Sequence, residues 1–158
     1  MSNSENPVWR WLRSTSNRTY VVYPIAIIAY ELLLHRGGLE VQPAGVPLLV
    51  WGYLQYKLAG RYRLRKGGGG PGLSVPPLRL CTDGPYRWVR NPMYLGHLIF
   101  LAGLALTFKS WAGAVLLAIH ILWFDRRVRE DESRLARIFG HDYHAYAARV
   151  KRWLPGIY

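Results

Sequence analysis

The sequence predicts an all-α fold: an integral membrane helical bundle of about four short transmembrane helices, followed by a C-terminal cytoplasmic amphipathic helix. Three observations predict it. Apolar residues make up 51% of the 158 and are gathered into long runs. Trp, Tyr and long basic side chains stand at the run ends, where lipid headgroups would lie. The Lys and Arg residues, which leave a net charge of +12, fall between and after the runs, so the charge is partitioned as a bilayer would require. The chain reads as a single membrane domain over 1–158, divided into 1–19, 20–59, 60–93, 94–124 and 125–158.

The opening segment, 1–19, is polar and basic. No small-residue cleavage site follows it, so the sequence predicts a retained span and not a removed signal peptide. Four apolar runs come next: Tyr20 to Leu34, Pro43 to Ala59, Tyr94 to Phe108 and Trp111 to Phe124. Each is shorter than the roughly 20 residues that cross a 30 Å hydrocarbon core. The last two form a hairpin interrupted by Lys109-Ser110, and a soluble bundle would seldom make both arms of such a hairpin apolar.

Charge orients these runs. Three Lys or Arg residues precede Tyr20, eight lie from Lys57 to Arg90, and eight follow Phe124, which leaves only Arg36 and Lys109 elsewhere. The positive-inside rule then predicts a multi-pass protein of a cytoplasmic or inner membrane, with an even number of spans and both termini cytoplasmic. The same net charge invites a nucleic-acid reading, but the aromatic side chains suited to base stacking sit in or beside the apolar runs, so no nucleic-acid partner is expected. Cys81 is the single cysteine. It excludes an intramolecular disulfide, a cysteine metal cluster and a C-x-x-C pair, and no metal site is expected.

The segment 60–93 reads as a Gly/Pro-rich cytoplasmic loop. Arg61 to Lys66 alternate basic and apolar residues, and Gly67 to Gly70, Pro71-Gly72 and Pro76-Pro77 exclude a continued helix. The glycine run matches neither G-x-G-x-x-G after a strand nor a P-loop. From Leu78 the chain reads L-R-L-C-T-D-G-P-Y-R-W-V-R-N-P-M-Y-L-G. Asp83-Gly84-Pro85 is a turn, and Pro92 suits the first turn of the third helix. Arg90 and Asn91, flanked by Tyr86 and Tyr94, could bind a carboxylate or amide at the helix mouth. Equally, they could be an interfacial anchor.

After Phe124 the helix is predicted to continue out of the bilayer, with Val128, Leu135, Ile138 and Phe139 on an apolar face and Gly140 as its stop. Arg127 with Asp131, and Arg126 with Glu130, are four residues apart and read first as solvated ion pairs.

Two separated stretches carry a resemblance. Gly84, Tyr86, Arg90, Asn91, Pro92, Tyr94 and Gly96 form G-x-Y-x-x-x-R-(H/N)-P-x-Y-x-G. After the hairpin, Arg127, Asp131, Glu132, Leu135, Phe139, Gly140, Tyr143, Tyr146 and Val150 form R-x-x-x-(E/D)-E-x-x-L-x-x-x-F-G-x-x-Y-x-x-Y-x-x-x-V. Over about Leu78 to Pro155 the chain resembles the isoprenylcysteine carboxyl methyltransferase family. Its G-G-G-G and P-P-L-R-L segments are similar to those of bacterial members.

The resemblance implies a methyltransferase that takes S-adenosyl-L-methionine as cofactor on the cytoplasmic side. It implies cofactor binding by Leu78, Arg79, Leu80, Cys81, Tyr86, Asn91, Pro92, Met93, Tyr94 and Asp131, with Glu132 sharing the acidic role. Arg127 and Arg90 are the implied catalytic residues, Arg127 holding an acceptor carboxylate. The partners implied are the bilayer and a lipophilic or lipid-modified acceptor; the oligomeric state is not legible. Asn91 stands where the family often has His, which removes proton transfer there but keeps hydrogen bonding. Asp131 stands where it often has Glu, which shortens the reach.

Methyl transfer from a sulfonium is an in-line displacement in which alignment can lower the barrier by ~7 to 11 kcal/mol. A carboxylate acceptor needs no base, whereas an amine acceptor does, with His97, His120 and His141 as candidates. Three alternatives stay open: a phospholipid-type N-methyltransferase, an NADPH-dependent sterol-reductase-like enzyme, and a non-catalytic membrane protein.

Overall fold

A computed structural model describes residues 6–70 and 75–156, and the described residues are all helix, turn and irregular segment, with no strand. Met1 to Glu5 of the predicted N-terminal segment, and Pro71-Gly72 of the predicted loop, lie outside the described residues. The helices are α1 (Pro7–Arg13), α2 (Thr15–Asn17), α3 (Tyr23–Leu34), α4 (Val46–Gly67), α5 (Pro92–Thr107), α6 (Trp111–Phe139) and α7 (His141–Arg149). A π-helical turn, Arg18–Val22, joins α2 to α3. Pro24 explains it: a proline inside a continuous helix has no N–H to donate and crowds the preceding turn, which a widened turn accommodates.

The second predicted run extends further than its apolar residues. Arg61 to Lys66, expected in a loop, form the last turns of α4, which ends only where Gly68 takes φ +67°. Alternation at a period of two gives no single helical face, so these residues are helical as a continuation of the preceding turns of α4 and not through their own pattern. The predicted hairpin is α5 and α6, turned by Lys109 at φ +47° and started by Ser110, whose hydroxyl accepts from the Gly113 N–H at 3.1 Å. Gly140, at φ +50°, stops α6 as expected.

α5 packs against both α4 and α6. The α4–α5 contact runs along glycines: Gly52 and Gly96 face one another, Gly103 meets Leu49, and Gly45, just before α4, meets Thr107. A Cβ on Gly52 would stand 2.6 Å from the Gly96 carbonyl oxygen, and one on Gly96 2.8 Å from the Gly52 oxygen. Backbone meets backbone, a close approach that only small residues allow. Ile27, Leu101 and Leu104 form the apolar core beside this seam.

No described helix is long and apolar enough to cross a membrane. The apolar helices are short, 12 residues in α3 and 16 in α5, and the longer α4 and α6 turn polar along their length.

The buried face of α6 explains how the bundle builds a site. Gly113, His120, Phe124, Val128, Asp131 and Glu132 lie along it, spaced mostly three, four or seven residues apart, so one stripe of one helix changes from apolar to acidic. The acids are carried on the same face as the core and are buried by it.

Candidate active site at the polar end of the bundle

The segment before α5 and the second half of α6 meet in a buried polar cluster. Arg90 is its centre. Its Nε donates to Glu132 Oε1 at 3.0 Å and its Nη2 to Oε2 at 3.2 Å, while Nη1 donates to the carbonyls of Ala147 at 2.9 Å and Val150 at 2.7 Å. The Arg90 N–H also donates to the Lys151 carbonyl at 2.9 Å. Arg152 Nη2 reaches Glu132 Oε2 at 2.9 Å, and Asn91 Nδ2 donates to Oε1 at 3.0 Å. Burial pushes the Glu132 carboxyl up, but the hydrogen bonds and charges of Arg152 and Arg90 outweigh it and hold the carboxyl below its ordinary value.

Asp131 belongs to a different surface. It accepts from the Tyr94 hydroxyl at 2.7 Å and faces Arg127 Nε across a looser 3.8 Å; the Arg127 side chain is 47% exposed. The adjacent acids, equally buried, therefore differ in partners: Glu132 ties α6 to the Arg90 segment and the end of α7, and Asp131 is held by Tyr94 beside the half-exposed Arg127 at the edge of an open space.

That space is a cavity of about 630 Å³ between the polar ends of α4, α5 and α6, within the range that holds small organic ligands. Its walls carry both sequence stretches. Arg79, Leu80, Cys81, Tyr86, Arg90, Asn91, Met93 and Tyr94 come from one, and Arg127, Asp131 and Glu132 from the other. Leu78 is not brought in. It is 82% exposed, and its N–H pairs with the Gly67 carbonyl at 2.8 Å. Nor does Pro92 line the cavity; it is buried as the first residue of α5. Arg90, implied by the resemblance to be catalytic, does line it, with its guanidinium engaged by Glu132 and two carbonyls.

The motif glycine has a steric reason. Gly84 sits at φ +55°, and a Cβ there would stand 2.5 Å from Cζ of Tyr62. This turn delivers Tyr86, whose carbonyl accepts from the Tyr146 hydroxyl at 2.7 Å, so α7 is fastened to the segment ahead of α5. Tyr143, on the same helix, lines the cavity. Its hydroxyl is buried with no well-formed hydrogen bond among the described residues, and burial pushes it up to about 12, so it stays neutral. Burial likewise raises the Cys81 thiol, leaving it protonated and a poor nucleophile.

Several lining residues escape the sequence reading. Tyr56, Lys57 and Arg61 come from α4, Trp123 from α6, and Arg13 to Ser16 with Arg18 from the N-terminal segment, whereas His97, also in the lining, was already a candidate base. Tyr143 and Tyr146 were legible as motif positions without an assigned role. The rest carry no motif, and only the bundle's packing places them. Among the described residues no group of three or more His, Cys, Asp or Glu side chains could hold a metal ion.

Comparison with known proteins agrees with the two-stretch pattern. Residues 45–142 match the family described as phospholipid methyltransferase. The chain is similar to protein-S-isoprenylcysteine O-methyltransferase of Schizosaccharomyces pombe, 32% identical over 80 residues, which is 49% of this chain and 34% of that protein. It is 35% identical over 81 residues to the probable protein-S-isoprenylcysteine O-methyltransferase of Oryza sativa subsp. indica, 50% of this chain and 42% of that one. The Homo sapiens protein-S-isoprenylcysteine O-methyltransferase is 34% identical over 79 residues, 49% of this chain and 28% of its own length. The chain thus aligns with less than half the length of these relatives.

Proposed function

The chain belongs to the phospholipid methyltransferase family, and from that premise we propose that it is an S-adenosyl-L-methionine-dependent methyltransferase whose acceptor is a lipophilic carboxylate. One observation carries the reading: the two sequence stretches, separated by an apolar hairpin, form adjacent walls of one cavity, with Asp131 and the half-exposed Arg127 in its lining and the Glu132–Arg90 pair holding the walls together. The names of the relatives support the carboxylate acceptor.

The residues present suit the cofactor. Tyr56, Tyr94 and Trp123 offer aromatic faces to a sulfonium, and the buried Tyr143 hydroxyl has a hydrogen bond left to make. Met93, Tyr94, Tyr143, Asp131 and the 79–81 segment would hold it. S-adenosyl-L-methionine, when bound, supplies a methyl group on a positively charged sulfur that an in-line nucleophile displaces. The chain's own contribution is alignment and exclusion of water. Arg127, half-exposed at the cavity edge, would take one oxygen of the acceptor carboxylate and leave the other to attack. No residue has to remove a proton, since the acceptor is already anionic.

The bundle is placed in a bilayer, with its polar end cytoplasmic and the chain as one membrane domain. Its outward faces support this: Leu33 is 83% exposed, Trp111 83%, Leu122 70%, Ile25 63% and Leu58 60%. This many large apolar side chains left exposed fit a nonaqueous neighbour. Short helices fit if the bilayer thins locally around them.

The test is transfer of labelled methyl from S-adenosyl-L-methionine into a membrane lipid extract by the purified chain. A product that releases methanol in base is an ester and supports the proposal; folded protein that binds neither the cofactor nor its demethylated product overturns it. Transfer to an amine is the second reading. It draws on His97, which lines the cavity and whose Nδ1 has no partner among the described residues. A base-stable methylamine product would establish it in place of the ester.

A further inference from the structure

The site leaves one element of the molecule without a role. α1, Pro7–Arg13, is a complete small helix: the Asn6 side chain caps it by accepting from the Val8 N–H at 3.0 Å, yet none of its residues is buried. At about 100° per residue, Trp11, Val8, Leu12 and Trp9 share an arc of roughly 160° and Arg10 and Arg13 stand on the opposite side. In a helix that served the core, the apolar arc would face inward. Here Trp9 is 65% exposed, Val8 61% and Trp11 43%. The helix contains no acidic residue.

The chain just beyond α1 ties the helix to the cavity. Arg13, Ser14, Thr15 and Ser16 line the space that Asp131 and Arg127 face. Further along the same stretch, Ser16 Oγ lies 2.6 Å from the Tyr56 hydroxyl, and the Arg18 guanidinium stacks 5.5 Å from the Trp123 ring centre. Arg13 is both the last residue of α1 and the first of this wall, so the surface on which α1 rests bears directly on where the wall stands.

We propose that α1 is a membrane-surface docking helix, its Trp9, Val8 and Trp11 face set among the headgroups of an anionic lipid surface, and that this docking positions the Arg13–Ser16 wall of the cavity. The occupant is fixed by charge and shape. A short helix with aromatic residues on one side and only arginines on the other matches a negatively charged interface, where each basic residue adds attraction and the rings bury at headgroup depth. α1 also leads directly into the helical stretch that carries the apolar exterior, so bilayer placement of the bundle brings α1 to the interface. The inference rests on that placement.

The test uses the full chain as Cys81→Ser with Trp9→Cys carrying an environment-sensitive fluorophore, reconstituted in phosphatidylcholine vesicles and in vesicles that also contain phosphatidylglycerol. The expected result is a blue shift and reduced acrylamide quenching with phosphatidylglycerol, reversed by high salt. Equal aqueous exposure in both vesicles overturns the proposal. A shielded fluorophore in both, indifferent to lipid charge and salt, also overturns it and points to a second copy or another protein on this face. Retention of the chain in vesicles after an alkaline wash is scored separately, so failure of the bilayer placement is not confused with failure of docking. The coupling to the cavity is read with Trp9→Ser/Arg10→Glu, neither of which lines the cavity. KM for a lipophilic acceptor is expected to rise several-fold in anionic vesicles with kcat unchanged and no effect in neutral ones; an unchanged KM in anionic vesicles sinks the coupling.

Discussion

Arg90 and Glu132, 42 residues apart in the chain, meet in a two-point ion pair at 3.0 and 3.2 Å, with side chains only 13% and 11% exposed. The pair closes the loop from the start of α5, through the hairpin, to the far half of α6. Its partners are buried and hydrogen-bonded, so removing one end strands the other. Glu132→Ala leaves Arg90 and Arg152 without this carboxylate and is expected to cost about 3 to 5 kcal/mol, measured by denaturant unfolding in the purification detergent. A cost under about 1 kcal/mol, the value of a solvated surface pair, would contradict the buried geometry.

The same residue sets an acid limit. Because Arg152 and Arg90 hold the folded-state Glu132 carboxyl below its ordinary value of 4.5, the unfolded chain binds the proton more tightly. The contribution of Glu132 is present above that value and is lost as pH falls through the lower folded-state range. Acid titration of stability should show the wild type losing ground below about pH 4.5 more steeply than Glu132→Gln, which has no carboxyl to protonate. Parallel curves would remove Glu132 as the source.

At the α4–α5 seam, Gly96→Ala puts a methyl 2.8 Å from the backbone of both Gly52 and Tyr56. The helices must part to admit it, at an expected cost of about 1 to 3 kcal/mol. Gly60→Ala is the control: its methyl meets only the flexible end of Met93 at 3.3 Å, and alanine favours helix over glycine by about 1 kcal/mol. Thermal unfolding should lower the midpoint for the first substitution and leave the second unchanged or raised.

Asp131 and Arg127 separate cofactor from acceptor. Asp131→Asn removes the charge facing the cavity while keeping an acceptor for the Tyr94 hydroxyl, so calorimetry should show weaker binding of S-adenosyl-L-methionine. Arg127→Ala is expected to leave that binding near wild type and raise KM for a carboxylate acceptor about tenfold or more, the scale of one charge-assisted hydrogen bond. Both substitutions acting on the same constant would show that one ligand group spans the two residues.

The all-helical fold, the hairpin at Lys109-Ser110, the Gly140 stop and both motif stretches were legible in the sequence, because each rests on local chemistry: apolar run length, a proline or glycine at a helix end, acids and arginines four apart. The end of α4 was not legible: the alternation from Arg61 to Lys66 has no helical period, and the residues were expected in the loop that the glycines begin. Arg127 and Asp131 were readable as a helical pair.

What the sequence left undecided is which charged side chain holds the fold and which faces a ligand. Arg90 and Arg127 are alike as letters. Only the docking of α7 and Arg152 against Glu132 encloses Arg90, and only the cavity leaves Arg127 open. Leu78 and Pro92 stood within the motif stretch and fell outside the cavity, while Tyr56 and Trp123 stood outside it and became walls. The sequence by itself determined the helices and the chemical groups they carry, since those depend on near neighbours along the chain. Tertiary structure alone decided burial and partnership, since a charge becomes structural or available according to what residues far along the chain bring against it.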